Sequence, residues 1–543
     1  MRRCAAASIL LALTLSVIVS PGAAVSAPRY AGGPPPPHII YILTDDAGYG
    51  TWPSVYIKTP AIDALAAEGL RLPEFYSFQF CSPSRASALT GRWPWRTPNA
   101  RINFLPSYVM DGTPLEYNML PKRLAAASYV SYMAGKWHQG LFSPSYLPLA
   151  RGFDHFDGFL SGGEDHFSQA ADLSVGDCNV TGAAIRDAWQ QNGTAPAALG
   201  EYTATRFTRS AVDWLRGHAA RYGARPAFLY LALHNTHAPL QALPQFEALY
   251  ANISFAPRRS YYAMMSTVDD TVRNVTAALK EAGLWNSSLV IWHTDNGTPV
   301  QVGGSNWPLR GGKGSNWEGG VRVPALVSGG WLPPARRGLV APAGARAHMV
   351  DLYATIRAAA GLPAADGELP APIDSLDLGP FLRGEAASTP RADAGGAALV
   401  LDHNAFAAPP ALPHGALISG GYKLLVGPRG GEAQASWYGV FSPNASAPAP
   451  SLAFYACAQD APPGGCLFDL RTDPQERVDL AAAQPTVFAQ LMAQFQALNS
   501  SYHPPRENPP SDEAGLCALA LQNDRIVAPW KPPVQAAEGG GVW

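Results

Sequence analysis

The chain has 543 residues, of which 47% are hydrophobic, 10% aromatic and 15% charged, so it can fill a large folded core and does not read as disordered. Its 39 basic and 41 acidic side chains give a formal charge of −2 without any basic block, and the electrostatic footprint of a nucleic-acid-binding protein is missing.

The N-terminus reads as a secretory signal peptide over residues 1–27. Arg2 and Arg3 precede an apolar run to Val19, the helix-breaking Pro21-Gly22 follows, and Val25 and Ala27 are spaced for cleavage. A membrane anchor fits less well, because Ser and Thr interrupt the run, and no later segment reaches the length of a membrane span. Cleavage after Ala27 takes the charge from −2 to −4 and sends the chain through the secretory pathway to an oxidising compartment, extracellular or lysosomal. Glycosylation triplets at Asn179, Asn192, Asn252, Asn274, Asn286, Asn444 and Asn499 fit that route, and an eighth begins at Asn296. Once Cys4 leaves with the signal, Cys81, Cys178, Cys457, Cys466 and Cys517 remain, an odd set. Four can form two disulfides in three connectivities. Proximity favours a local Cys457–Cys466 bridge, and Cys81, in a setting unlike the others, is the natural one left over.

Residues 28–37, ending in four prolines, form a stiff leader, and ordered structure is expected from His38. Residues 38–46, 226–237 and 288–297 each run through β-branched and aromatic residues and then break into polar ones, which predicts buried strands carrying functional groups at their carboxyl ends. Between them, Thr59, Pro60 and Gly69 bracket a helix. A second helix places Met265, Val268, Val272, Val275 and Leu279 on one stripe and closes at Gly283. Strands alternating with helices predict a doubly wound α/β sheet with its ligands gathered at the carboxyl edge. Beyond about residue 360, Pro-, Ala- and Gly-rich stretches separate a few strand-like segments, including residues 416–427 and 466–480. The organisation expected is a catalytic domain over 38–385 and a smaller C-terminal domain over 386–543.

Asp45-Asp46 and Asp295-Asn296 each follow an apolar strand. Such pairs are ordinary turn formers taken singly. Two of them in matching positions form an all-oxygen set suited to a hard cation such as calcium or magnesium. An Asn296 engaged with an ion at a buried strand end cannot also carry a glycan. Residues 128–140 alternate like a strand and place Lys136 and His138 on one face if the extension continues. His237 lies just beyond another strand, with His234 nearby. Lysine beside histidine suits an anionic substrate and acid–base work, although each residue alone could be a satisfied turn residue. Cys81 precedes Ser82 and Pro83, read as N-cap and first residue of a helix, so its thiol sits where helix amides and Arg85 should lower its pKa. From the residues alone this is a cysteine nucleophile working with His138, or else a buried structural cysteine.

The run "CSPSRASALTGR" resembles the Cys-X-Pro-Ser-Arg signature, followed by Leu-Thr-Gly-Arg, of the type I sulfatases. "TDDAGYG", "GKWHQG", "LALHNTHAPLQ", "TDNG", "NWPLRGGKGSNWEGGVRVP" and "LFDLRTDPQERVDL" follow in family order, and two of these segments look most like arylsulfatase B and its arylsulfatase relatives. The resemblance implies an alkaline phosphatase-like fold, with a large mixed sheet flanked by helices and a smaller C-terminal α+β domain containing an antiparallel sheet. It implies that Cys81 is converted to formylglycine by the formylglycine-generating enzyme, and that Asp45, Asp46, Asp295, Asn296 and the modified Cys81 hold one calcium ion. Arg85 would hold the formylglycine, with Lys136 and His138 bonded around it, while His237 and Lys313 would bind sulfate and help the leaving oxygen depart. Lys313 takes its role from the resemblance alone. The implied reaction is hydrolysis of a sulfate ester, of an aryl alcohol or a sulfated glycan such as an N-acetylgalactosamine 4-sulfate unit. One hydroxyl of the aldehyde hydrate attacks sulfur and expels the alcohol, and deprotonation of the other hydroxyl, to His138, then eliminates sulfate and restores the aldehyde. The sequence departs from the family at Thr51 and in the Ala-Pro-rich insertions beyond residue 360. A formylglycine-dependent phosphonate or phosphate ester hydrolase, and a silent glycan-binding homologue, are the alternatives.

Overall fold

The computed structural model describes residues 35–96, 106–171, 184–195, 200–299, 303–363, 373–404, 414–427, 464–498 and 510–534. The signal and most of the leader, together with Cys178, Cys457, Asn179, Asn444 and Asn499, lie outside the described residues. No helix among the described residues is long and apolar enough to cross a membrane.

The three predicted strands are His38–Thr44, Ala227–Ala232 and Ser288–Thr294. They lie side by side and parallel at the centre of a ten-stranded sheet. Val130–Lys136 and His155–Phe159 continue the parallel run on one side, and Ala325–Ser328 pairs antiparallel on the other, which makes the sheet mixed. The period-2 geometry of a strand divides its side chains between two cores. Ile39, Tyr41 and Leu43 pack with Leu89, Leu120, Leu352 and Tyr353 on one face. Ile40 and Ile42 pack with Phe207, Ala211, Val268 and Val272 on the other. Near-continuous apolar strands are therefore what a sheet covered on both faces requires.

The covering helices follow their patterns. Pro60–Ala67 starts after Thr59. Ala256–Glu281 buries the whole stripe from Met265 to Leu279, and Gly283 takes the left-handed conformation beyond it. A separate four-stranded antiparallel sheet is made by Leu399–Asn404, His414–Ser419, Tyr422–Val426 and Gly465–Asp469. Its core includes Phe488 and Leu491 of the helix Pro485–Ala497 and also takes in Tyr76, Trp95, Trp317 and Val321. The small sheet thus packs directly on segments leading to Cys81 and following Lys313. Cys466 and Cys517 each take part in a disulfide, and Cys81 is the free cysteine among the described residues.

Candidate active site

Strand register assembles the site. Thr44 stands opposite Thr294, so Asp45-Asp46 and Asp295-Asn296 leave the sheet together. Ala232 pairs with both Leu43 and Gly135, which brings Lys136 to the same edge. The chain beyond Ala232 then wraps Asp45: its N–H donates to the Asn235 carbonyl at 2.8 Å, and the Thr236 N–H donates to its carbonyl at 2.6 Å. That wrap carries His237 over the carboxylates.

The helix bearing the cysteine runs Cys81–Thr90, with Phe80 as its N-cap. Cys81 is therefore the first helical residue, and Ser82 does not cap; Ser84 instead accepts from the Phe78 N–H at 3.1 Å. Cys81 is fully buried, and burial raises its thiol pKa, with Lys136 and Lys313 offsetting only part of the shift. The expected lowering at the helix N-terminus is overturned: desolvation, reinforced by Asp45 and Asp295, outweighs the helix amides. An unmodified thiolate is poorly supported here.

Arg85 is fully buried and its guanidinium is engaged within the protein. Its Nε and one terminal nitrogen donate to Asp295 Oδ2 at 3.0 and 2.8 Å, and the other terminal nitrogen donates to the Lys136 carbonyl at 3.2 Å. Lys136 Nζ lies 2.6 Å from Asp45 Oδ2, with both side chains fully buried. Lys313 Nζ lies 2.7 Å from Asp46 Oδ1 and 2.9 Å from Oδ2. Burial alone would lower the Lys313 pKa, but Asp46, Cys81 and Asp45 outweigh it and hold the ammonium charged. For Asp45, burial is overcome by Lys136, His237 and Arg85, so its carboxyl stays well below the usual range.

His237 Nδ1–H donates to the Ala238 carbonyl at 2.7 Å, which leaves Nε2 facing Asp46 at 3.9 Å. Burial, and then Lys313, lower its pKa. His234 is fully buried, its ring between those of His166 and His237, and desolvation holds it neutral. His138 is buried but adopts a left-handed backbone at φ 54°, two residues beyond the strand end at Lys136. The two side chains therefore do not share a strand face, because extension stops at the strand end.

The carboxylates fit a hard cation. One oxygen each from Asp45, Asp46 and Asp295 lies within 4.8 Å of the others, about twice the 2.3–2.6 Å bond that calcium makes to oxygen. Asp45 Oδ1 and Asn296 Oδ1 are buried with no hydrogen-bond partner, a costly arrangement unless a cation meets them. Asn296 Nδ2 donates to Asp46 Oδ1 at 2.6 Å, and the fully buried residue is closed to a glycan. Asn192, Asn252 and Asn286, by contrast, are exposed. One ligand atom each of Asp45, Cys81 and His237 also falls within 4.8 Å of the others, which places the cysteine against the acidic cluster.

Several supporting residues escape a linear reading. Tyr261, within the apolar stripe helix, donates its hydroxyl to the Asp46 carbonyl at 2.9 Å. Gln139 Nε2 donates to the Ser82 carbonyl at 3.1 Å and so ties the turn after Lys136 to the cysteine helix. Asn306 Nδ2 donates to the Thr298 and Gly311 carbonyls at 2.8 and 3.0 Å, which folds the Lys313 loop back onto the sheet edge. The long polar loop around "SNWPLRGG" was the only sign of this last role.

A buried cysteine at a helix start thus lies against an acidic cluster at the edge of a mixed α/β sheet, with Lys136, Lys313 and His237 beside the carboxylates. The chain belongs to the Sulfatase family, which it matches over residues 37–362. It is a type I sulfatase, a sulfuric ester hydrolase with the alkaline phosphatase-like fold. It is 31% identical over 516 residues to arylsulfatase J of Mus musculus, covering 91% of this chain and 80% of that one. To N-acetylgalactosamine-6-sulfatase of Mus musculus it is 34% identical over 384 residues, covering 66% and 69%. The solved structure of Ps i-CgsB in complex with k-i-k-neocarrahexaose superposes with a TM-score of 0.71 at 25% identity, covering 90% of this chain and 98% of that one.

Proposed function

We propose that the chain desulfates glycans through a formylglycine made from Cys81, with calcium held by Asp45, Asp46, Asp295, Asn296 and residue 81. The observation that carries this reading is the convergence of Cys81, Asp45 and His237 beside a three-carboxylate cluster, with Asp45 Oδ1 and the neighbouring Asn296 Oδ1 orphaned. Similarity to an N-acetylgalactosamine-6-sulfatase and to a protein solved with a neocarrahexaose supports a sulfated sugar as the substrate. The signal-like N-terminus supports passage through the secretory pathway, where the formylglycine-generating enzyme would act, to an extracellular or lysosomal location.

Calcium held by Asp45, Asp46, Asp295 and Asn296 would supply positive charge to an anionic ester, and a formylglycine at residue 81 would supply, as its hydrate, the two hydroxyls that one serine could not. The side chains do the rest. Arg85 and Lys136 fix Asp295 and Asp45 in orientation. Lys136 and Lys313 are the cations that act most strongly on the buried residue 81 and offset the repulsion that an anionic ester presents to a nucleophile. His237, with Nδ1–H committed to the Ala238 carbonyl, presents Nε2 as the atom that exchanges a proton with the leaving oxygen. His138 is assigned the proton of the second hydroxyl.

The test is expression with a formylglycine-generating enzyme, peptide mass spectrometry at residue 81, and desulfation of N-acetylgalactosamine 4-sulfate and 6-sulfate units. An active enzyme whose residue 81 remains a thiol would refute the mechanism. Faster turnover of an aryl phosphate than of the matched aryl sulfate would favour the phosphate ester reading. Activity that survives Cys81→Ala would remove the residue from catalysis.

A further inference from the structure

The small sheet reaches both segments that carry the reacting groups. Asp402, buried in the strand Leu399–Asn404, accepts on its Oδ2 from Gln79 Nε2 at 3.3 Å and from Asn316 Nδ2 at 3.0 Å. Gln79 stands two residues before Cys81, and Asn316 three after Lys313. The same segments also meet directly, the Gly314 N–H donating to the Gln79 carbonyl at 2.9 Å.

A second connection lies beside the first. Lys423, fully buried in the strand Tyr422–Val426, places Nζ 2.9 Å from Glu318 Oε1 and 2.9 Å from Glu476 Oε1. Glu476 Oε2 accepts the Glu318 N–H at 2.7 Å, and the Tyr76 hydroxyl donates to Glu318 Oε2 at 2.9 Å. Two carboxylates and an ammonium are thus withdrawn from water to hold the residues that follow Lys313.

Adhesion alone does not call for this. Trp317 and Val321 already seat the same segment in the apolar core of the small sheet. Burying an ion pair gains little over apolar packing of the same volume. What the charged groups add is direction: they fix Asn316 and Glu318 relative to Tyr76 and Gln79, hence the ammonium of Lys313 relative to residue 81. The loop itself has little regular structure to do so, only the four-residue helix Glu318–Val321.

We propose that Asp402 and Lys423 are positioning residues for the sulfatase reaction, holding the Lys313 loop in register with the Cys81 helix. The inference rests on Lys313 being a catalytic group, as assigned above. Neither residue touches substrate; each acts through the loop.

The experiment is a pair of double-mutant cycles. Asp402→Leu, which removes the acceptor at nearly the same volume, and Lys423→Met are each made alone and in a Lys313→Ala background, and kcat and KM are measured on an aryl sulfate with rates normalised to formylglycine content. The single variants should lose about 10–100-fold in kcat with KM far less affected, as supporting partners of a reacting site do. In the Lys313→Ala background the same changes should cost almost nothing more, because the group they position is gone. Lys423→Arg, which keeps the charge, should recover much of the loss. Should Lys423→Met fail to fold, the Asp402→Leu cycle decides alone. Losses that multiply independently of Lys313, or single variants with unchanged kcat, would overturn the proposal. An unchanged kcat in Lys313→Ala alone would instead sink the assignment of Lys313, and the positioning role with it.

Discussion

Lys136→Met removes an ammonium while keeping the unbranched stem. Lys136 Nζ sits 2.6 Å from Asp45 Oδ2 with both side chains at 0% exposure, so the variant strands a carboxylate in the interior. Breaking a buried pair from one side costs about 3–5 kcal/mol. Arg85 remains 3.4 Å from the same oxygen, which puts the expected loss at the lower end, about 3 kcal/mol. Catalysis should fall separately, by about 10²–10³ in kcat, the effect of removing one preorganised donor from a water-excluded site. The paired variant Asp45→Asn/Lys136→Met separates the two effects. Its neutral pair should regain most of the lost stability and none of the activity. Thermal midpoints by calorimetry and kcat on an aryl sulfate, normalised to formylglycine content, provide the measurements. A single variant with wild-type kcat would refute the catalytic role of Lys136, and one with a wild-type midpoint would refute the argument from burial. Recovery of activity in the pair would show that the ion pair is structural only.

Calcium added to chelator-treated protein should raise the thermal midpoint, by the equivalent of about 2.7 kcal/mol at a hundredfold excess over Kd; Asp45→Asn and Asp295→Asn should need more calcium for the same rise, and identical titrations would take the ion out of this cluster. His237→Gln should cost more on sulfate esters of alkyl alcohols than on those of acidic phenols, since a poor leaving group depends on proton transfer; equal losses would move His237 away from the leaving oxygen. Burial, with Glu318 adding to it against the pull of Lys423, raises Glu476 from 4.5 to about 7. The folded state then holds an extra proton between those values, so the contribution to stability is complete below about pH 4.5 and is lost as pH rises through about 7. Glu476→Gln should flatten that part of a plot of thermal midpoint against pH, and an unaltered slope would assign it to other groups.

Much of the site was legible along the chain because its groups stand at the ends of strands. Asp45, Asp46, Asp295 and Asn296 follow apolar runs whose only stable place is between two layers of helices, and parallel register then makes the carboxylates neighbours. The long stripe from Met265 to Leu279 was legible for the same reason, since helical periodicity is a local property. The resemblance of "CSPSR" to the sulfatase signature singled out Cys81 among the cysteines.

Burial and partnership are properties of the folded chain, and there the linear reading was incomplete or reversed. The thiol of Cys81 has its pKa raised, because full desolvation beside Asp45 and Asp295 exceeds what a helix N-terminus offers. Arg85, one turn along the Cys81 helix, is engaged by Asp295 and the Lys136 carbonyl. His138 leaves the strand by a left-handed turn that no alternation pattern encodes. Lys313 has no local signal, and it reaches Asp46, 267 positions away in sequence, only because Asn306, Asn316 and Glu318 fold its loop onto the sheet edge. The sequence by itself determined which groups are present and which strand and helix ends carry them. Tertiary structure alone decided which charges lie out of water and which opposite charge meets each one, because desolvation and Coulomb attraction depend on distance in space.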